Sequence, residues 1–355
     1  MGNAAGTRLF AGAWRTKDGG LGGIYRRTVG DGQRSSDWQR LGNGLPDIDA
    51  QVVVIDAHDR DVIYAGTADG PYRSTDGGDR WERLGFPDKG VAIWSIAQHP
   101  TEKRTLYAGG SPVHVYRSDD GGDNWRRLPD PALPDRVKMP FACRVMRFAP
   151  HPTKPDDIFA TLEVNGAMHS TDRGETWRDC TDDLVRLAGQ PHLKSRIVSD
   201  TDIEGMLDGH AMTTTAAAPD AVFLACRMGL FRSDDQGRTW QDMEVGRFAP
   251  VTYGRDIRTA PQDPRVLYAA LSVAASSSFG SLYRSADVGR SWTRIDAGTD
   301  PRSTLMAVAL HAGDADQLYT AARTGQVFGT ADGGATWTAM PLPETARQVY
   351  ALAAG

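Results

Sequence analysis

Six times the chain writes one eight-residue pattern: a hydroxyl residue, Asp two positions on, Gly four on and Trp seven on. The copies occupy residues 74–81, 118–125, 170–177, 233–240, 285–292 and 330–337. A self-similar unit at this interval decides the architecture before any single residue is weighed. Each copy stands between two short strand-like runs, as in Pro71-Tyr72-Arg73 before and Glu82-Arg83-Leu84 after the first box. It therefore reads as a hairpin turn. The Asp carboxylate and the hydroxyl accept backbone N–H bonds within such a turn, and Gly tolerates the positive φ it needs. The Trp opens the next strand and is large enough to wedge between packed sheets.

A second signal keeps step with the first. Upstream of each box runs a strand ending in small residues, such as Thr105-Leu106-Tyr107-Ala108-Gly109, and before it another, such as Ile93-Trp94-Ser95-Ile96-Ala97. Four strands per unit without helical periodicity predict an all-β fold, a β-propeller. At the N-terminus, Arg8 to Gly12 matches a second strand, Gly23 to Arg26 a third and Trp38 to Leu41 a fourth. The missing first strand of that unit is Gln348 to Leu352 at the far end. Both termini then share one blade, which closes the ring and removes free sheet edges. The count is seven blades in a single domain over residues 1–355.

The boxes resemble the Asp-box, or BNR, repeat of sialidases, xyloglucan-degrading enzymes, sortilin-type receptors and photosystem II assembly factors. The resemblance covers nearly the whole chain and implies the propeller; for activity it implies either an enzyme or a binding protein. Sialidases of that superfamily typically have six blades and an Arg-Ile-Pro near the N-terminus, and this chain has neither. Xyloglucan enzymes typically pair two seven-bladed domains, so no catalytic residue is carried over from either.

With 40 Lys and Arg against 45 Asp and Glu, the net charge of −5 offers no general attraction to nucleic acid. No apolar run approaches the ~20 residues that span a bilayer, and residues 1–6 show neither a charged nor an apolar leader region. Three widely spaced cysteines, Cys143, Cys180 and Cys226, suit reduced thiols in a cytoplasmic, monomeric protein. No cofactor is expected.

Function is sought on the face opposite the boxes, where links between blades and turns between second and third strands lie over the channel. The largest departure from the repeat is the interval from Trp177 to Trp240, 63 residues against 43 to 45 in compact units. Its extra segment, 178–210, is expected to form a lid or pocket rim. It opens on a helix capped by Thr181 and contains His192, Arg196, Asp200, Asp202, Glu204, Asp208 and His210. His210, with Glu204, Asp208, His192 or Tyr253, would supply acid–base chemistry of a hydrolase or lyase. Alternatively, the acids pin the loop against Lys194 and Arg196. Their spacing matches no metal motif.

Arginines form the second constellation. Arg227 and Arg323 follow second strands, with Arg15 in the equivalent place beside Trp14. Arg144 and Arg255 open innermost strands where other units have small or polar residues, and Arg147 and Arg258 follow three residues on. Either these cations pair with Glu163, Asp56 and Asp256, or they hold an anion through forked hydrogen bonds. The candidate ligand-binding set is Arg144, Arg227, Arg255, Arg323, Arg196, Glu163 and Trp14. The expected ligand is an anionic small molecule or glycan; the alternative is a non-catalytic platform for a protein partner. Four histidines, His58, His99, His151 and His311, occupy equivalent places after first strands and are expected to shape turns.

Overall fold

The structure, a computed structural model, describes residues 6–30, 37–195, 199, 201 and 203–355. Seven four-stranded antiparallel sheets stand around a central channel. Blade 1 joins the termini: Val349–Ala354 is its innermost strand, followed outward by Thr7–Ala13, Gly23–Val29 and Gln39–Leu41. Blades 2 to 7 follow in chain order, with innermost strands Ala50–Ile55, Ala92–Gln98, Val145–Pro150, Gly209–Thr215, Tyr253–Thr259 and Leu305–Leu310. The expected seven-bladed all-β propeller is what the chain forms.

The boxes close on themselves. In the first, Ser74 Oγ donates to Asp76 Oδ1 at 2.8 Å and accepts from Gly78 N at 2.8 Å, while Asp76 Oδ1 accepts from Arg80 N at 2.9 Å. The same three bonds recur in the last box through Thr330, Asp332, Gly334 and Thr336. With the hydroxyl and the carboxylate engaged inside the turn, the boxes are scaffold.

At two seams the box tryptophan donates to the preceding blade. Trp240 Nε1 donates to the Cys180 carbonyl of blade 4 at 2.9 Å, and Trp337 Nε1 to Ile295 of blade 6 at 2.8 Å. Trp38, which follows no box, keeps the same wedge, donating to Met340 at 2.8 Å. Arginines reach back the other way, to the carbonyl of the fourth box residue: Arg26 to Gly77, Arg73 to Gly121 and Arg232 to Val288 at 2.7, 2.8 and 2.9 Å.

Two sequence assignments need correction. His99, His151 and His311 do shape turns, their Nδ1 atoms accepting backbone N–H bonds from residues two or three further on. His58 does not share that place. Asp56 takes it, accepting from the N–H groups of His58 and Asp59 at 2.8 and 3.1 Å. The long interval does carry a helix, α1 (Asp182–Leu187), but the Thr181 side chain does not cap it. Its hydroxyl bonds to Asp179 instead, at 2.7 Å. With a second short helix, α2 (Glu204–Leu207), α1 packs Leu184, Leu187, Met206 and Leu207 into the core shared by blades 4 and 5.

Candidate functional site at the channel mouth

The channel is a cavity of about 800 Å³ lined by the innermost strands. One backbone device repeats around it. Every innermost strand bulges at the same register position, so that one residue per blade drops out of the pairing ladder. A bulge leaves its extra residue unpaired and re-aims its side chain. In blade order these residues are Tyr350, Gln51, Trp94, Met146, His210, Arg255 and Met306, and all seven line the cavity. They form a ring near the end of the channel opposite the boxes.

The ring is chemically uneven. Trp14, just past the second strand of blade 1, stacks on Tyr350 with ring centroids 3.9 Å apart and meets Trp94 edge-on at 5.2 Å. Arg144 lies over the Trp94 ring at 4.0 Å, and Arg255 and Arg323 each lie 6.0 Å from the Tyr350 ring. This is an aromatic platform fringed by guanidinium groups. Apolar faces with nearby cations suit a ligand that combines a flat or sugar-like body with negative charge.

Behind the ring, four of the five proposed acid–base residues meet in one buried network. Arg227 donates through Nε and Nη2 to Asp208 Oδ2 at 2.9 and 2.6 Å, and through Nη1 to Glu204 at 3.3 Å. Glu204 Oε2 also accepts from Ser199 N and Oγ, both at 2.8 Å. Asp208 Oδ2 lies 3.4 Å from His210 Nε2. His210 Nδ1 sits 2.7 Å from the Gly254 carbonyl, which can only accept, so this nitrogen carries a proton. Nε2 lies 3.0 Å from the Tyr253 hydroxyl. Burial opposes charge on Asp208, but His210 and Arg227 outweigh it and hold the carboxyl well below the usual carboxylate range. Burial pushes the Tyr253 phenol up. Of this network only His210 lines the cavity, and both its ring nitrogens are engaged. His192 stands apart, exposed and paired with Asp242 of the outermost strand of blade 5 at 2.9 Å. Arg196, Asp200 and Asp202 lie outside the described residues. Among the described residues no group of three or more His, Cys, Asp and Glu is placed to hold a metal ion.

The arginines divide sharply. Cross-strand register pairs the residue after a second strand with the residue two before the bulge. Blade 4 puts Glu163 and Arg144 there as an ion pair; blade 5 puts Arg227 and Asp208 in the same two places with the charges exchanged. Trp14 and Arg323 hold the place of Glu163 and Arg227 in blades 1 and 7, so Arg15 is not their equivalent. Arg15 pairs with Asp49 instead, at 3.1 Å. Burial pushes the Glu163 carboxyl up. Arg323 donates to Gln348 at 3.0 Å and to the Ala275 carbonyl at 2.7 Å.

Arg255 differs from all of them. It is not equivalent to Arg144, because the bulge sets it two positions further along its strand. It is 9% exposed, and it makes no hydrogen bond or ion pair with any described residue. An arginine this deeply buried is almost always paired. Gln51, Trp94, Met146 and Met306 were not singled out by the sequence, since a bulge carries no residue signature. Only the length of each strand relative to its partner betrays it.

A propeller whose blades carry Asp-box turns and whose channel mouth holds these side chains can be set beside known proteins. Residues 70–198 match the model of the Sortilin-Vps10 family, described as sortilin, neurotensin receptor 3. A xyloglucanase of Paenibacillus sp is 26% identical over 226 residues, covering 53% of this chain and 20% of the relative. The chain spans about a fifth of that protein's length. In solved structures, a GH74 enzyme of Niastella koreensis aligns with a TM-score of 0.60 at 14% identity, covering 82% of this chain and 45% of the other. YCF48 from Cyanidioschyzon merolae aligns with a TM-score of 0.59 at 14% identity, covering 88% and 90%. These structural likenesses concern the fold. All of these matches lie within the Asp-box β-propeller superfamily.

Proposed function

We propose that the protein binds an anionic small molecule or glycan at the mouth of its channel, with Arg255 as the charge-pairing residue. The observation that carries this reading is the Arg255 guanidinium, which lines the cavity beside the Tyr350 ring without a hydrogen bond or ion pair to any described residue. Its Nε is buried without a hydrogen-bond partner, and a ligand anion in forked contact with the guanidinium would supply one. The Trp14, Tyr350 and Trp94 rings beside it supply a surface for the ligand body. The xyloglucanase relative supports a glycan as that body.

Binding rather than hydrolysis is the reading the geometry favours. Glycoside hydrolysis commonly uses two carboxylates about 5 to 9.5 Å apart. The described lining contains one, Asp56, and it belongs to a turn on the box side. A protein partner is the second reading. Phe141 and Val273, 39% and 59% exposed, stand in connections on the mouth face, and a solved propeller of this fold, YCF48, is described bound to a peptide.

Thermal melting with sugar acids, phosphates, neutral oligosaccharides and acidic peptides tests the proposal, because a ligand of the native fold alone raises the melting temperature. Stabilisation by sugar acids or phosphates that disappears in Arg255→Met is expected. Stabilisation by neutral sugars that survives in Arg255→Met would overturn the role of Arg255. Stabilisation by peptides only would move the function to the protein-binding reading.

A further inference from the structure

Below the ring the channel carries a second concentration of positive charge. Arg147 of blade 4 occupies the position after its bulge, and Arg258 of blade 6 lies three positions after its own. At a rise of about 3.3 Å per residue, these positions sit roughly 3 and 10 Å further along the strands than the ring. Both arginines line the cavity. One carboxylate serves them, Asp256, which is fully buried. Arg258 Nε lies 3.1 Å from each Asp256 oxygen, and Arg147 Nη2 lies 3.5 Å from Oδ1, reaching past blade 5. Oδ2 is also held by the Val308 N–H of blade 7 at 2.9 Å.

Asp256 is thus fully subscribed, yet it neutralises only one of the two guanidinium groups. Arg147 Nε is buried without a hydrogen-bond partner, as is Nε of Arg255 above it. Burial, and then the charge of Arg258, push the Arg147 guanidinium down to about 10. At that value it stays charged at neutral pH, beside Arg258 and Arg255. Arg255, Arg147 and Arg258 thus share the single carboxylate of Asp256 in the ring and just below it, whereas the other charged lining residues, Arg60 and Asp56, belong to the box end of the passage.

We infer that the ligand is an elongated dianion lying along the channel axis, one acidic group at Arg255 in the ring and the other at Arg147 and Arg258 below it. This rests on the reading of Arg255 as an anion site and deepens it, because a monoanion at the ring leaves the lower charge unmatched. Two linked anionic groups bind together more tightly than either alone only when the linker matches the span between the sites. The chain of the ligand between its acids passes the apolar wall formed by Val308, Phe148 and Ala307.

Titration calorimetry at constant ionic strength with acetate, succinate, glutarate, adipate and inorganic phosphate separates the alternatives. The best dicarboxylate is expected to bind at least about tenfold more tightly than acetate, which is about 1.4 kcal/mol. A preferred chain length should stand out. In Arg147→Met, acetate is expected to keep its affinity while the dicarboxylate falls to the level of acetate. Equal binding of acetate and every dicarboxylate by the wild-type protein, or phosphate exceeding them all, overturns the two-level dianion and leaves the ring site standing. No binding of any of these anions overturns the ring site as well. The wild-type series decides the matter even where Arg147→Met folds poorly, and circular dichroism melting of the variant shows whether it does.

Discussion

Arg144 and Arg255 show how two arginines at one channel mouth can have opposite consequences for stability. Arg144 is paired with Glu163 and lies over Trp94. Replacing it with Met leaves a largely buried carboxylate without its cation, an error that costs about 1 to 3 kcal/mol. Arg255 has no such partner, so Arg255→Met removes an uncompensated charge and adds an apolar side chain of similar length. We expect Arg144→Met to lower the urea midpoint and Arg255→Met to raise it, by about 1 kcal/mol or more, in ligand-free protein. Equal losses in both variants would show that Arg255 is internally satisfied. A residue that weakens the empty protein is what a ligand-binding charge looks like, since sites commonly sacrifice stability for function.

Between residue and ring, the working element is the seam between blades. Where Arg26, Arg73 and Arg232 cap the carbonyl of the next box, blade 4 has His169, too short to reach. Arg178, from the outermost strand of the same blade, supplies the guanidinium instead, reaching the Gln236 carbonyl at 2.6 Å with His169 Nδ1 3.3 Å from it. Arg178→Ala is therefore expected to destabilise by about 1 to 2 kcal/mol, measured by urea unfolding. Arg178→Lys should recover only part of the loss, because a point charge replaces a planar fork. An unchanged midpoint for Arg178→Ala would mean that the wedge of Trp240 alone holds this seam. The element scale is also where sequence reading reaches its limit. Turn chemistry is local and is written in residue types, so Ser-x-Asp-x-Gly announced the boxes, the blade count and the shared closing blade. A bulge is written in register, a relation between two strands. Aligning Arg144 with Arg255 by their place at strand starts therefore missed an offset of two and, with it, the ring. The pairing of Glu204, Asp208 and His210 was legible as a cluster of residue types; its partner Arg227 and its enclosure behind the ring became visible only when the strands of blade 5 were folded together.

At the scale of the whole molecule, six boxes make one charge pattern that should govern acid stability. Each box carboxylate, Asp76, Asp120, Asp172, Asp235, Asp287 and Asp332, is held below the ordinary carboxylate range. At Asp76 the Arg80 N–H is the largest cause, whereas at Asp120, Asp172, Asp235 and Asp287 burial opposes ionisation and the turn's hydrogen bonds outweigh it. At Asp332 the Thr330 and Thr336 hydroxyls lead, bringing it down to about 2. The unfolded chain titrates these groups near ~3.9. Between about pH 4 and pH 2 the unfolded state therefore binds more protons than the folded one, so stability rises with pH in that window and is lost as pH falls through it. Because the same turn recurs in six of seven blades, the protons taken up on unfolding add together, and the ring has no blade edge from which to unfold gradually. Melting temperatures measured from pH 6 to pH 2.5 should be nearly level above pH 5 and drop steeply below pH 4. Asp332→Asn keeps an acceptor oxygen for the turn but removes its charge, so it should lower stability at pH 6 and flatten the acid slope. A wild-type profile that stays level down to pH 2.5 would show that the box carboxylates are not ionised partners of their turns, and that the ring is held by its Trp wedges and shared blade instead.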